Sequence, residues 1–312
     1  MKAVQIKKYG GSEVIEIVDD ALKPTASKGQ VQIEVHAASV NPFDNMVRSG
    51  YVAKMMPLEF PATLGMDVAG VIAGVGEGVS EFKPGDEVYG QAKFFAGQGA
   101  FAEFAISDAK SISLKPKNAA FTEAAGLPLT AVSAYQVLVT KMNLSKGQKI
   151  LIHGGAGGIG SLAIQMAKNL GAYVTATAGA SETDFVKELG ADEIIDYKSD
   201  KFEDVVSNYD AVFDTVGGDT YKRSFKVLKP GGVIVSMLEQ PNQELLKQHS
   251  VNALYQQTKM NSADLAKVAE LVEGGVLKVH IDRVFPLSET AKAMDYLRTG
   301  HPKGKVIIEV QK

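Results

Sequence analysis

The stretch Ile150-Leu151-Ile152-His153-Gly154-Gly155-Ala156-Gly157-Gly158-Ile159-Gly160 decides the fold class. An apolar run suited to a buried strand meets a glycine-rich turn. Residues 161–170, SLAIQMAKNL, continue as a helix in which Leu162, Ile164, Met166 and Leu170 mix with small alanines. Gly155, Gly157 and Gly160 stand at the spacing G-x-G-x-x-G. The first is expected to permit a tight turn, the second to let the backbone approach a pyrophosphate, and the third to let helix pack closely on strand. Free N–H groups at the start of the helix would then face the anion. On this reading Gly155, Ala156, Gly157, Gly158, Ile159 and Gly160 bind a dinucleotide. The competing reading is a tight strand–helix turn with no ligand, and the segments that follow oppose it.

Downstream, strand and helix patterns alternate at βαβ spacing. Short β-branched or apolar runs at 172–178, 192–197, 210–218, 233–238 and 251–258 read as strands. Between them lie a helix opened by Ser181 as cap and closed by Gly190, a short helix at 201–209, and a helix ended by Pro230-Gly231. This is an α/β fold with a doubly wound parallel sheet, whose ligands sit at the carboxyl ends of the strands. Upstream, residues 1 to about 120 are β-rich. Runs at 1–6, 13–19 and 30–39 look like strands, and residues 40–51 form a polar segment punctuated by Pro42. A glycine- and valine-rich stretch at 61–90 suits a strongly bent β-barrel with glycines at bulges and corners. At about Thr122 the texture turns helical, with an interruption at Pro128. After residue 260 come an amphipathic helix capped by Ser262, a strand-like run, another helix and a last strand. These elements either extend the second domain or return to the first.

Composition narrows the partners. The 312 residues carry a formal net charge of −3, with 22% charged and 45% hydrophobic residues, as ordinary globular domains do. No basic run points to nucleic acid or an anionic membrane, and no apolar run is long enough to span a bilayer. The opening MKAVQIKKYGG lacks the apolar core of a secretory signal. The chain has no cysteine, which removes disulfides, thiolate metal sites and cysteine nucleophiles and suits a cytoplasmic protein.

Several short runs together resemble a known family. They are Asn41-Pro42-Phe43-Asp44 followed by Arg48-Ser49-Gly50; Gly65-Met66-Asp67-Val68-Ala69-Gly70 leading to Lys83-Pro84-Gly85-Asp86; Leu127-Pro128-Leu129-Thr130-Ala131; the glycine turn; Leu189-Gly190-Ala191-Asp192; and Gly304-Lys305-Val306. The chain resembles medium-chain dehydrogenases/reductases of the zinc-independent quinone oxidoreductase branch, which includes alkenal/one reductases. The resemblance implies a GroES-like β-barrel catalytic domain at 1–122, a Rossmann domain binding NADPH at 123–260, and a return to the catalytic domain at 261–312. It places the active site in the cleft between them. It also implies a homodimer joined at the Rossmann sheet edge, here near residues 251–256.

Zinc-bearing relatives carry Cys where this chain has Asn41, a His-Glu pair where it has Met66-Asp67, and a further Cys near Leu127-Pro128. A catalytic zinc needs three N, S or carboxylate ligands, and these positions do not supply them. The five histidines (His36, His153, His249, His280, His301) show no ligand spacing and read as solvated or bonded within turns. Without a Lewis acid to stabilise an alkoxide, the expected substrate accepts hydride readily. A quinone or an α,β-unsaturated aldehyde or ketone does so, because its charge delocalises onto a distant oxygen that needs only a donor or two.

NAD-binding versions of the fold place an acid at the end of the second strand. Here that position falls at Ala178-Gly179, with no acid, so a 2′-phosphate is tolerated and NADPH is favoured. In the resembling reductases the phosphate meets side chains that match Ser181, Tyr197 and Lys198. Against this, Tyr197 reads equally as a half-buried strand-end aromatic and Lys198 as a solvated charge. At the reacting end, Asn41, Asp44, Arg48 and Tyr51 crowd one segment. Asn41 can donate its amide to substrate or nicotinamide, and Tyr51 or a water can protonate the developing enolate. The rival readings make Asp44 and Arg48 an ion pair or loop anchor and Tyr51 a rim aromatic. Thr130 matches a residue lining the nicotinamide pocket, with a helix cap as its rival role. Phe94 and Phe95 read either as pocket lining or as core. The alternative functions are an enoyl-thioester reductase, which would want a basic entrance, and an NADPH-binding sensor with little turnover.

Overall fold

Strand alternation and glycine punctuation carry through to the elements observed. In a computed structural model that describes residues 1–311, the chain begins with β1 (Ala3–Ile6), β2 (Ile15–Val18), β3 (Gln30–Val40), α1 (Pro42–Ser49), β4 (Ala62–Thr63), β5 (Asp67–Val75), β6 (Glu87–Gln91), β7 (Phe104–Asp108), β8 (Ile112–Leu114) and α2 (Phe121–Ala125). There follow α3 (Pro128–Tyr135), a π-turn (Gln136–Lys141), β9 (Lys149–Ile152), α4 (Gly158–Asn169), β10 (Tyr173–Ala178), α5 (Thr183–Glu188), β11 (Glu193–Asp196) and α6 (Phe202–Val205). Then come β12 (Tyr209–Asp214), α7 (Gly218–Ser224), β13 (Leu228–Ser236), α8 (Gln243–His249) and β14 (Asn252–Tyr255). The chain closes with α9 (Ser262–Glu273), β15 (Ile281–Pro286), α10 (Thr290–Thr299) and β16 (Lys305–Glu309).

Two units result. The first gathers Met1–Leu129, Met260–Gly274 and the chain from Val279 on; the second comprises Thr130–Lys259 with Gly275–Lys278. Residues 123–129 thus fall with the first unit. That unit is built on a three-stranded sheet β2-β1-β4 and a seven-stranded one in the order β15-β16-β3-β5-β6-β8, with β7 also on β3. The β3–β5 pairing shifts register twice: after the Gln32–Gly74 pair the extra residue is Ala73 on β5, and after the Val35–Gly70 pair it is His36 on β3. A β-carbon on Gly70 would run into the Glu34 carbonyl oxygen, so glycine is what lets the bulged strand approach. The core is apolar and drawn from every strand of the unit, with Ile6, Ile33, Val68 and Ile308 fully buried. Tyr89 is also buried and donates its hydroxyl to the Leu265 carbonyl at 2.6 Å, which fastens α9 to this unit.

The second unit is a six-stranded sheet in the order β11-β10-β9-β12-β13-β14, every pair parallel. The order reverses between β9 and β12, so that is the topological switch point. Its strands are apolar on both faces: Val174, Ala176, Val212, Phe213, Ile234 and Val235 are fully buried. Among the described residues no helix is long and apolar enough to cross a membrane.

Local readings need correction where caps decide the outcome. In the polar segment, Pro42 does not break the chain but opens α1 from its first turn, and Gly50, at φ 79°, closes the helix with its N–H on Met46 and Val47 carbonyls. The cap of α9 is Asn261, not Ser262, because its side-chain oxygen accepts from Asp264 N at 2.8 Å. Ser181 does not cap α5; it lies inside a 3₁₀ turn (Ala180–Glu182). Pro230-Gly231 does not end a helix. The helical run stops after a 3₁₀ turn (Phe225–Val227), and both residues lie in β13. Residues 13–19 begin as a 3₁₀ turn (Ser12–Val14) before β2.

His153 is the other surprise. It is fully buried, with Nδ1 3.2 Å from Thr177 Oγ1 and Nε2 2.9 Å from Ser224 Oγ, rather than solvated. Burial pushes its imidazole down to about 3, and the nearby Arg223 charge adds to that. The folded state therefore keeps it neutral while the unfolded chain protonates it, so the stability it supplies is present above its ordinary value of 6.5 and is lost as the solution is acidified. Urea titrations of wild type and His153→Gln should show a stability gap that shrinks by about 2 kcal/mol between about pH 7 and pH 5. A gap that does not change with pH would show that the imidazole does not titrate on unfolding.

Candidate active site

The glycine turn lies at the switch point. Gly154, at φ 68°, supplies the left-handed residue; Gly155 does not, so the tight turn falls one position earlier than the motif suggests. Gly155 is needed for closeness instead: a β-carbon there would lie 2.9 Å from Ala176 Cβ and 3.2 Å from Ile164 Cδ1. Gly157 caps α4 in extended conformation, and its only near neighbour would be the Gly154 oxygen at 3.3 Å. The outer side of the turn is open. A β-carbon on Gly160 would strike the Gly154 carbonyl, which seats α4 directly on the turn. The first bond of this helix runs from Ser161 N to Gly157 O, so the N–H groups of Gly158, Ile159 and Gly160 precede it, as an anion seat requires. Ala156 lies buried inside the turn.

Side chains from the adjoining strands hold this geometry. Thr215 donates to the His153 carbonyl at 2.8 Å, and Gly155 N donates to Thr177 O at 2.8 Å. Buried Asp214 accepts from Val216 N and Gly217 N at 3.0 and 2.9 Å and from Ser236 Oγ at 2.6 Å. The ends of β9, β10, β12 and β13 are thereby locked into one rim. Ser181, Tyr197 and Lys198 lie just beyond the ends of β10 and β11, all exposed, Tyr197 by 54%. Lys198 Nζ sits 5.8 Å from the Tyr197 ring and would be 3.7 Å from a β-carbon on Gly179. Thr130 is buried as the third residue of α3, past any cap position. These positions fit a dinucleotide: backbone donors for a pyrophosphate at the turn, and a basic, hydroxyl-bearing rim at the second strand.

The first unit brings Asn41 and Asp44 together in a buried polar cluster. Asn41 stands between β3 and α1, but its side chain does not cap the helix. Its Nδ2 donates to Asp67 Oδ2 at 2.8 Å and its Oδ1 accepts from Lys305 Nζ at 2.6 Å. Asp67 also accepts from Ser39 Oγ at 3.0 Å and Leu129 N at 3.2 Å. Lys305 Nζ lies 4.0 Å from Asp67 Oδ2, and both side chains are buried. Burial pushes the Asp67 carboxyl up, opposed by Lys305, Asn41 and Ser39; burial pushes the Lys305 amine down, opposed by Asp67 and Asp44. Asp44 accepts from Asn41 N at 2.7 Å and Met66 N at 3.1 Å, and burial pushes it up to about 7. Both its oxygens are thus on backbone N–H groups, and it does not pair with Arg48, which turns instead to Asn45 Oδ1 at 3.0 Å. Tyr51 stands apart, 77% exposed on the turn after α1. Phe94 is buried and Phe95 half-exposed against it, with ring centroids 3.7 Å apart.

Sequence reasoning missed Lys305 as a site residue. The available signal was a lysine opening an otherwise apolar strand, KVIIE, in which the next three residues are fully buried. Its ammonium lies against Asn41 and Asp67, beside the positions where the sequence comparison expects zinc ligands in zinc-bearing relatives, Asn41 and Met66. An ammonium, an amide and the Met66 thioether do not fit a zinc ion. Among the described residues no group of three or more His, Cys, Asp or Glu side chains is arranged to hold a metal.

Two stability tests follow. Gly160→Ala should cost about 1–3 kcal/mol in thermal unfolding through overpacking, while Gly157→Ala should be far milder. Lys305→Met should cost about 3–5 kcal/mol by stranding Asp67, and Lys305→Met/Asp67→Asn should recover part of it. A double variant no more stable than Lys305→Met would show that the two charges are not coupled.

Family models match in two places. The alcohol dehydrogenase GroES-like domain matches residues 27–117 and the zinc-binding dehydrogenase domain residues 189–308. The chain is 37% identical to the chloroplastic NADPH-dependent alkenal/one oxidoreductase of Arabidopsis thaliana, over 99% of this chain and 79% of that protein. The quinone oxidoreductase of Coxiella burnetii superposes with a TM-score of 0.93 at 36% identity, covering 100% of this chain and 99% of that one. The Escherichia coli quinone oxidoreductase complexed with NADPH superposes at 0.89 with 26% identity, covering 99% of this chain and 100% of that one. The chain therefore belongs to the medium-chain dehydrogenase/reductase family, in its zinc-independent quinone oxidoreductase and alkenal/one reductase branch.

Proposed function

We propose that the protein is an NADPH-dependent, metal-free oxidoreductase that reduces quinones or α,β-unsaturated aldehydes and ketones. The observation that carries this reading is the Lys305 ammonium held against Asn41 and Asp67, which leaves no Lewis acid for alkoxide chemistry and so calls for an acceptor that disperses its own charge. The names of its relatives support the same reading. NADPH, when bound, supplies the hydride.

The chain's own residues do the rest. The N–H groups of Gly158, Ile159 and Gly160 receive the pyrophosphate, and Ser181, Tyr197 and Lys198 receive the 2′-phosphate. Thr130 lines the nicotinamide. Asn41 has one amide N–H on Asp67 and offers the second to the acceptor oxygen, where charge develops. Tyr51, with an exposed hydroxyl, donates the proton to that oxygen. Asp44 is a positioning residue: with both oxygens on backbone N–H groups, it fixes the entry to α1 that presents Asn41. β14, at the sheet edge with Leu254 part-exposed, pairs with its copy in a homodimer. The lack of cysteine is in keeping with a cytoplasmic location.

NADPH oxidation against a panel of quinones, enals, enones and enoyl thioesters tests the assignment. Turnover of the first three classes is expected; binding without any turnover would mark a sensor instead, and preference for thioesters another reductase. Asn41→Ala should lower kcat/KM about tenfold or more, and Tyr51→Phe severalfold; if both stay within about twofold of wild type, their roles are wrong.

A further inference from the structure

One spot at the end of β10 is flanked by two opposite charges. Gly179 leaves the strand in extended conformation, and its N–H donates to Glu182 Oε2 at 2.7 Å. A β-carbon on Gly179 would lie 3.3 Å from that oxygen and 3.7 Å from Lys198 Nζ. A carboxylate from the turn after β10 and an ammonium from the turn after β11 thus face the place where the NADPH reading seats the 2′-phosphate. The acid missing from position 179 in the sequence is supplied from three residues later, by a side chain folded back onto the strand end.

This arrangement treats the two cofactors differently. A 2′-phosphate gains Lys198, but it meets the like charge of Glu182 and finds the Gly179 N–H already taken. A free 2′-hydroxyl carries no charge to repel and can donate to the carboxylate. We propose that Glu182 sets the choice between NADPH and NADH in this protein: held on Gly179 N–H, it opposes the 2′-phosphate that Lys198 attracts and accepts from the free ribose hydroxyl, so that NADH is admitted as a second donor. The inference rests on the NADPH reading and deepens it.

The test needs no turnover. Glu182→Gln keeps the shape and an oxygen for Gly179 N–H while removing the charge. Calorimetric titration with adenosine 2′,5′-bisphosphate and with AMP reads the 2′-position alone. Glu182→Gln should bind the bisphosphate about fivefold tighter or more and AMP no tighter, as expected for removing a like charge a few ångströms away. Glu182→Ala, which also drops the bond to Gly179, should move the same way, and Lys198→Ala the opposite way. The ratio of kcat/KM for NADPH over NADH should rise in Glu182→Gln by a similar factor. If wild type prefers the bisphosphate, Lys198→Ala abolishes that preference and both Glu182 variants leave it within about twofold, the role of Glu182 is refuted and the NADPH reading stands. If wild type shows no preference for the bisphosphate and Glu182→Gln creates none, both fall together.

Discussion

A buried lysine near the end of the chain sets the terms for the catalytic unit. Removing an ammonium from water is costly, and the fold sustains it because Asn41 Oδ1, the Val40 carbonyl and the Asp67 carboxylate stand beside it. Those partners come from the β3–α1 junction and from β5, while Lys305 opens β16. The last strand β16, the long strand β3 and β5 must therefore all be in register before the charge is satisfied. Register on either side agrees: Val306 pairs with Val40 and Asp67 with Ser39. Such a cluster contributes little net stability over an apolar equivalent, but a misregistered chain would strand a charge, so it favours one arrangement.

The two units make their sites by opposite means. In the second, the seat proposed for the dinucleotide is backbone, made possible by what glycines lack and braced by short bonds from Thr177, Thr215 and Asp214. In the first, the site is a side-chain network whose every member has a partner far away in sequence. A backbone seat recognises a group common to all dinucleotides and can afford no specificity of its own. Specificity then has to come from side chains at the rim, which is where Lys198 and Glu182 stand.

That division also explains what the sequence revealed. The glycine turn was legible because glycine spacing is a local signal, and the strand–helix alternation after it led to a doubly wound parallel sheet, whose strand order and switch point at β9 and β12 only the structure gives. The shift of the left-handed residue from Gly155 to Gly154 was not legible, since the motif contains an extra glycine before it and spacing alone does not say which one turns. Caps failed for a similar reason: Asn261 and Ser262 are adjacent and both can cap, and only backbone angle chooses. The Lys305 bond to Asn41 spans 264 residues, and no periodicity carries across that distance. Glu182 stands three residues past the position where the motif puts an acid, and only its fold-back onto Gly179 brings its carboxylate to the strand end.

The charge balance of the buried cluster bears on which acceptors it can serve. Lys305 and Asp67 offset one another, and the Asp44 carboxyl, pushed up to about 7, carries only part of its negative charge at neutral pH. The cluster is thus close to neutral and does not repel an electron-rich acceptor, but it has no free positive charge to offer one either. Lys305 does not play the part of a metal, because its ammonium is directed at Asn41 Oδ1 and lies beside the Asp67 carboxylate. On the roles proposed for Asn41 and Tyr51, stabilisation of a developing oxyanion is left to one amide N–H and a hydroxyl, a far weaker provision than a divalent cation. Such a site cannot hold a localised alkoxide, whereas a quinone or conjugated carbonyl spreads the incoming charge through its own π-system before any donor is needed. The same lysine that pins the strands therefore restricts the chemistry.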